Sequence, residues 1–185
     1  MSPLKLNMLE RIIKVRGKTT FEKKVIRIAI FVWNLVIYSL PLDLLAFRII
    51  NLPSSVMESV AILSGYILNS LGFYVKVIGN SIIACGETFT IIQDCVGYKS
   101  ILGLFAIIMA TPTKDIKTRL KWFLYFTPVM FIINLLRITS TVYLGCLFGN
   151  IKFIHNVLWQ ILTTVAVFLS WLIFLMKNKK DIIEF

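Results

Sequence analysis

Three side chains in this sequence have the types needed for covalent acyl chemistry: Cys95, Arg137 and His155. A cysteine supplies a nucleophile, a histidine the base that turns it into a thiolate, and an arginine a fixed positive charge for a developing oxyanion. Cys95 sits in Ile92-Gln93-Asp94-Cys95-Val96-Gly97-Tyr98-Lys99-Ser100, where a polar, loop-like approach meets an apolar run. The pattern predicts a helix N-terminus, whose free N–H groups stabilise a thiolate. Each residue also has a plainer reading. A free cysteine usually packs as a small apolar side chain. The lone His155 serves equally as an interfacial residue or a cap, and Arg137 as a residue snorkelling to headgroups. For Asp94, four roles stay open: a helix cap, a partner for Arg137 or Lys99, or the acidic group that orients His155.

The elements that must position these residues are mostly lipid-soluble. Hydrophobic residues make up 58% of the 185 and charged ones only 16%, against 45–50% apolar in soluble domains. That composition places the chain in the membrane. Residues 1–24 are polar and basic, with helical spacing at Met8-Leu9 and Ile12-Ile13 suggesting a short interfacial helix. The first spanning run is Val25 to Leu45, with Pro41 and Asp43 marking a kink or an exit. Residues 46–53 connect to a second helical segment, Ser54 to Gly72, which is long enough to span but interrupted by polar residues. Residues 73–93 turn β-prone, with short branched runs broken by Gly79-Asn80 and Cys85-Gly86, and read as two or three small strands. Such backbone must lie outside lipid or line a protein cavity. An apolar helix follows from Tyr98 to about Thr111, then a basic loop over Pro112–Arg119. A long helix runs from Leu120 to Phe148, with a kink expected at Pro128, and carries Asn134 and Arg137. After a turn at 149–152, the last span covers Phe153 to Met176, opening with His155-Asn156 and closing on Lys177-Asn178-Lys179-Lys180.

The formal net charge of +11 does not point to nucleic acid. The basic residues flank apolar runs, which is how cytoplasmic anchors set orientation, and no aromatic residues interleave with a basic groove. The positive segments place the N-terminus, the 114–121 loop and the C-terminal tail inside. Cys95 and His155 then face the outside. Arg137 lies about 25 Å up its helix from Leu120, on the same level. If 54–72 also crossed, Cys95 would fall on the wrong side, so this segment is expected to lie along the outer interface or re-enter. An arginine within a spanning helix costs at least about 2.5–3.5 kcal/mol on insertion scales, which marks Arg137 as functional. Cys85 and Cys146 read as structural, Cys146 by packing. A Cys85–Cys95 disulfide would silence the proposed nucleophile.

Three short motifs occur in order: Cys95-Val96-Gly97 heading one membrane helix, Asn134-Leu135-Leu136-Arg137 within the next, and His155-Asn156 opening the one after. Together they resemble the archaeosortase/exosortase family of polytopic membrane cysteine transpeptidases, over roughly residues 54–176 and in the form of its smaller archaeal members. Asp94 and Val96 depart from the Ala before the cysteine, and the Ser or Thr after it, that are common in the family. The resemblance implies Cys95 as nucleophile, Arg137 as stabilising arginine and His155 as the third catalytic residue, with Asp94, Asn134 and Asn156 as supporting positions. It implies a substrate that is a secreted protein ending in a sorting signal: a short motif, a spanning helix and a basic tail. A thioester acyl-enzyme forms and passes the acyl group to an amine or hydroxyl acceptor, such as a lipid. No metal, nucleotide or other cofactor is required.

The expected architecture is an all-α bundle of four to five transmembrane helices in the plasma membrane, with a short extracytoplasmic β-like insertion before Cys95. Residues 1–24 and 177–185 are its cytoplasmic ends and 25–176 its catalytic core. The alternative is a non-enzymatic bundle that binds a partner's transmembrane helix or lipid headgroups. A transporter is disfavoured, because no matched pair of interrupted helices and no internal repeat is visible. A pocket shared by Cys95, Arg137 and His155 would favour the enzyme over the bundle.

Overall fold

The computed structural model describes residues 20–48, 51–113, 115–149, 159–179 and 182. Five helices and one small sheet account for most of them. The helices are α1 (Thr20–Arg48), α2 (Ser54–Ser70), α3 (Tyr98–Ala110), α4 (Ile116–Phe148) and α5 (Thr164–Lys177), the last preceded by a π turn at Trp159–Thr163. Between α2 and α3 come β1 (Lys76–Ile78), β2 (Ser81–Ala84) and β3 (Glu87–Thr90), then a 3-10 turn at Gln93–Val96. The interfacial helix expected near residues 8–13 lies outside the described residues, as do His155 and Asn156.

Two helices, α1 over Lys24–Leu44 and α4 over Ile116–Phe148, are long and apolar enough to cross a membrane; α3 and the 161–177 segment are shorter apolar helices. Large apolar side chains stay exposed along α1 (Ile28, Val32, Trp33, Leu40) and along α4 (Leu124, Ile132, Leu136). In water such continuous apolar surface is unfavourable; in lipid it is the ordinary outer face of a bundle. Pro41 does not end the first helix, which runs on to Arg48. The long basic loop is also shorter than its sequence suggests. Asp115 accepts from Lys117 N at 3.0 Å and caps α4, so residues 116–119 are helical.

The described residues form two cores, and α4 belongs to both. At 33 residues it is about 50 Å long. One half packs Phe126 and Met130 against Leu104 and Ile108 of α3 and Ala166 and Phe174 of α5. The other half packs Leu135, Ile138 and Val142 against Val60, Ala61 and Leu68 of α2 and Ile82 and Phe89 of the sheet. Helix α2 therefore shares its core with the sheet and the Cys95 turn, while α3 and α5 share the other.

The sheet is an antiparallel meander in the order β1-β2-β3. β2 and β3 are joined by the two residues Cys85 and Gly86, both with positive φ (57° and 79°), as a tight hairpin with right-handed twist requires. The tip is tied to α4 by a Cys85–Cys146 disulfide with Cα atoms 5.8 Å apart. Both residues are structural, as the sequence suggests, but Cys146 does not merely pack; Cys95 is free, in keeping with the disfavoured Cys85–Cys95 pairing.

The far end of α3 is held by three other helices. Arg119 of α4 is buried, contrary to its expected place in a solvated basic loop, and donates to Met109 O (2.9 Å), Thr113 O (2.7 Å) and Thr113 Oγ1 (2.7 Å). Asn34 of α1 donates to Ala110 O (3.3 Å), and Trp171 of α5 to Thr111 Oγ1 (2.9 Å). The bonds to Met109 O and Ala110 O satisfy carbonyls that a helix end leaves open, and together the five contacts fix the helix whose other end follows Cys95.

Candidate active site

Cys95 is not in the first turn of α3, as its sequence context suggests. It sits one step earlier, on the 3-10 turn Gln93–Val96, and Gly97 then bends the chain into α3 through a left-handed conformation (φ 85°). The turn closes on itself through Cys95 N to Ile92 O (2.8 Å). Its carbonyls point at α4. Asn134 Nδ2 donates to Cys95 O (2.9 Å) and Val96 O (3.0 Å), and Arg137 Nη2 donates to Cys95 O (3.0 Å). Asn134 and Arg137 are three residues apart and so share one face of their helix. Arg137 is 2% exposed, so it does not snorkel. A buried guanidinium needs such acceptors to offset its lost hydration.

Gly97 is demanded twice. Its backbone is left-handed, and a Cβ there would lie 2.7 Å from Asn134 Cγ and 2.8 Å from Asn134 Oδ1. The turn and α4 are therefore as close as backbone and amide allow. Gln93 adds a second tether, accepting from Leu52 N at 3.4 Å and donating to Tyr98 Oη at 3.3 Å. Asp94 is placed too. Its carboxylate pairs with Lys99 Nζ at 2.8 Å and is 41% exposed. It caps neither the turn nor α3, where Ile92 and Gly97 are the capping residues and no side chain bonds.

A cavity of about 260 Å³ opens beside the turn. Residues 88–92 form one wall, Arg137, Ile138, Thr141 and Val142 of α4 the other, and Cys95 lies between them. Thr141 Oγ1 donates to Arg137 O (2.8 Å) and belongs to the same helix face. Cys95 and Arg137, more than forty residues apart in sequence, thus share one pocket, and Asn134 braces it from behind. Sequence reasoning missed Gly97 as a contact residue, Thr141, and the strand residues that wall the pocket. The face shared by 134, 137, 138 and 141 is a signal that helical spacing carries.

Membrane-length apolar helices, with a buried arginine and a free cysteine lining one pocket, define a helical membrane protein with a candidate thiol site. The particular family is shown directly: residues 19–176 match the transmembrane exosortase family, and the chain belongs to it. Its members are membrane cysteine-protease-like transpeptidases that act on C-terminal sorting signals. Searches of curated proteins and of solved structures return no match.

Proposed function

We propose that this chain is a membrane-embedded cysteine transpeptidase with Cys95 as nucleophile. The observation that carries the reading is the pocket shared by Cys95 and Arg137, with Arg137 hydrogen-bonded to the cysteine's own carbonyl. An inert packing cysteine has no use for a buried cation and an amide clamp on its backbone. The substrate is a secreted protein ending in a motif, a spanning helix and a basic tail.

In the proposed reaction His155 takes the thiol proton, and Cys95 Sγ attacks the carbonyl carbon of the scissile peptide bond. The oxyanion of the tetrahedral intermediate forms near the positive charge of Arg137, where a fixed charge stabilises it without reorganisation. The C–N bond breaks, and the leaving amine takes the proton from His155. This leaves a thioester on Cys95 and releases the helix-bearing tail. An amine or hydroxyl acceptor, such as a lipid, then attacks the thioester carbon, loses its proton to His155, and frees the thiolate. Asn134 holds the turn in register, and Asn156 is proposed to support His155. Asp94 pairs with Lys99, whose positive charge offsets the carboxylate next to the thiol.

In the proposed topology α1, α3, α4 and α5 cross the plasma membrane, with residues 1–24 and 177–185 in the cytoplasm and 25–176 as the catalytic core. Helix α2 and the sheet lie at the outer surface. Three features support this arrangement. Helix α2 packs with the sheet rather than alongside α3. The contacts Arg119–Met109 and Asn134–Cys95 run α3 and α4 antiparallel. The Cys85–Cys146 disulfide suits an oxidising exterior.

Co-expression with such a substrate tests the reading. Cys95→Ala is expected to abolish tail removal while the protein still inserts and folds. Processing that survives this substitution would sink the mechanism.

A further inference from the structure

Among the described residues β3 is the outer strand of its sheet, and its open edge borders the pocket of Cys95 and Arg137. Two observations establish this. The pocket wall takes in residues 88–92 without a break. Three of these, Thr88, Phe89 and Thr90, are consecutive residues of β3, where a sheet face would present every second one, and Ile91 and Ile92 continue beyond the strand. The hydrogen-bond phase agrees. The two-residue turn makes Ala84↔Glu87 a bonded pair, so Ile82↔Phe89 is bonded and Ile83↔Thr88 and Ser81↔Thr90 are not. Ile91 N donates to Asn80 O at 2.8 Å, which fixes that phase one step further along. The N–H and C=O groups of Thr88 and Thr90 therefore point away from β2, and no backbone bond to them is made by any described residue.

We propose that this edge is the substrate-docking strand: the residues preceding the scissile bond bind in extended form along β3, as a fourth strand. This rests on Cys95 being the nucleophile. A row of backbone donors and acceptors at strand spacing matches another backbone and little else. The strand leads straight into the turn that carries Cys95. A peptide running parallel to β3 brings its C-terminal carbonyl to the thiol, and its downstream helix is left free to enter the membrane. The disulfide from Cys85 to Cys146 holds the hairpin tip beside α4. Recognition through main chain also leaves side-chain selectivity to the small cavity alone.

The test uses the full-length protein in detergent and two alkylating reagents. Iodoacetamide reads the reactivity of Cys95. Acetyl-tetrapeptide chloromethyl ketones, with randomised side chains, read docking: Sγ displaces chloride and forms a thioether, with the thiol proton leaving as HCl. A single N-methyl group is placed on each peptide amide in turn. The expected profile alternates, with methylation of every second amide slowing alkylation of Cys95 about tenfold or more, the effect of one lost hydrogen bond or a clash. Thr90→Pro removes an outward N–H that the sheet does not use, and is expected to slow the peptide reagents alone. A flat methyl profile, or an equal effect of Thr90→Pro on both reagents, overturns the docking strand. A Cys95 inert to both reagents is a different result: it removes the nucleophile assignment, and the docking strand with it.

Discussion

At the scale of single residues, the site is a backbone clamp as much as a charge. Arg137 and Asn134 both bind the carbonyl of Cys95, so the arginine positions the Cys95 turn and charges the pocket wall at once. Lysine keeps the charge but offers a flexible point donor instead of a rigid planar fork. Arg137→Lys is therefore expected to lower the processing rate about 10²-fold or more, the scale of losing one transition-state donor, with the far-ultraviolet circular dichroism unchanged. A lysine variant working at the wild-type rate would show that charge alone is needed. Cys95 and Arg137 were legible in the sequence because their types are costly or reactive where the pattern placed them. The clamp was not, because it depends on a 3-10 turn and on Gly97, and local pattern does not separate such a turn from a helix start. Arg119 misled for a related reason. A basic residue among lysines reads as solvated, and only the fold brings Thr113 and Met109 carbonyls to it.

At the scale of elements, helices were the legible part. Long apolar runs gave α1 and α4, and polar interruptions marked α2 as different. Boundaries moved where one residue overruled the run: Pro41 lies inside α1 instead of ending it, and Asp115 starts α4 early. The stretch 73–93, with its branched residues and turn signals, holds the three strands. The disulfide was invisible, since Cys85 and Cys146 are 61 residues apart and meet only through the hairpin and α4. That long loop makes the bond a strong restraint on the unfolded chain. Cys85→Ser or Cys146→Ser is expected to cost about 2–4 kcal/mol and to lower the melting temperature in detergent. Dithiothreitol should do the same to the wild-type protein and nothing further to the variants. A melting temperature indifferent to both would show that packing alone holds the hairpin.

At the scale of the whole molecule, α4 is the spine. Its N-terminal half belongs to the helical bundle, its C-terminal half to the sheet layer, and the candidate site lies where the two cores meet. In the proposed topology α2 stays with the sheet, with which it shares a core, so that α1 crosses outward and α3 inward with nothing crossing between them, and the parity conflict raised by the sequence does not arise. In intact cells, a membrane-impermeant maleimide is expected to label Gly79→Cys and not Lys117→Cys, each in a Cys95→Ala background that keeps the disulfide and has no other free thiol. The reverse labelling would invert the topology and put the pocket in the cytoplasm. The central claim is that Cys95 carries the acyl group. It is tested most directly by isolating the enzyme from cells that express a substrate ending in a motif, a spanning helix and a basic tail. Mass spectrometry should then find the substrate's truncated chain on the peptide containing Cys95, released by neutral hydroxylamine as a thioester is. An adduct on another residue, or processing with no hydroxylamine-labile adduct under conditions that trap one, would contradict the account.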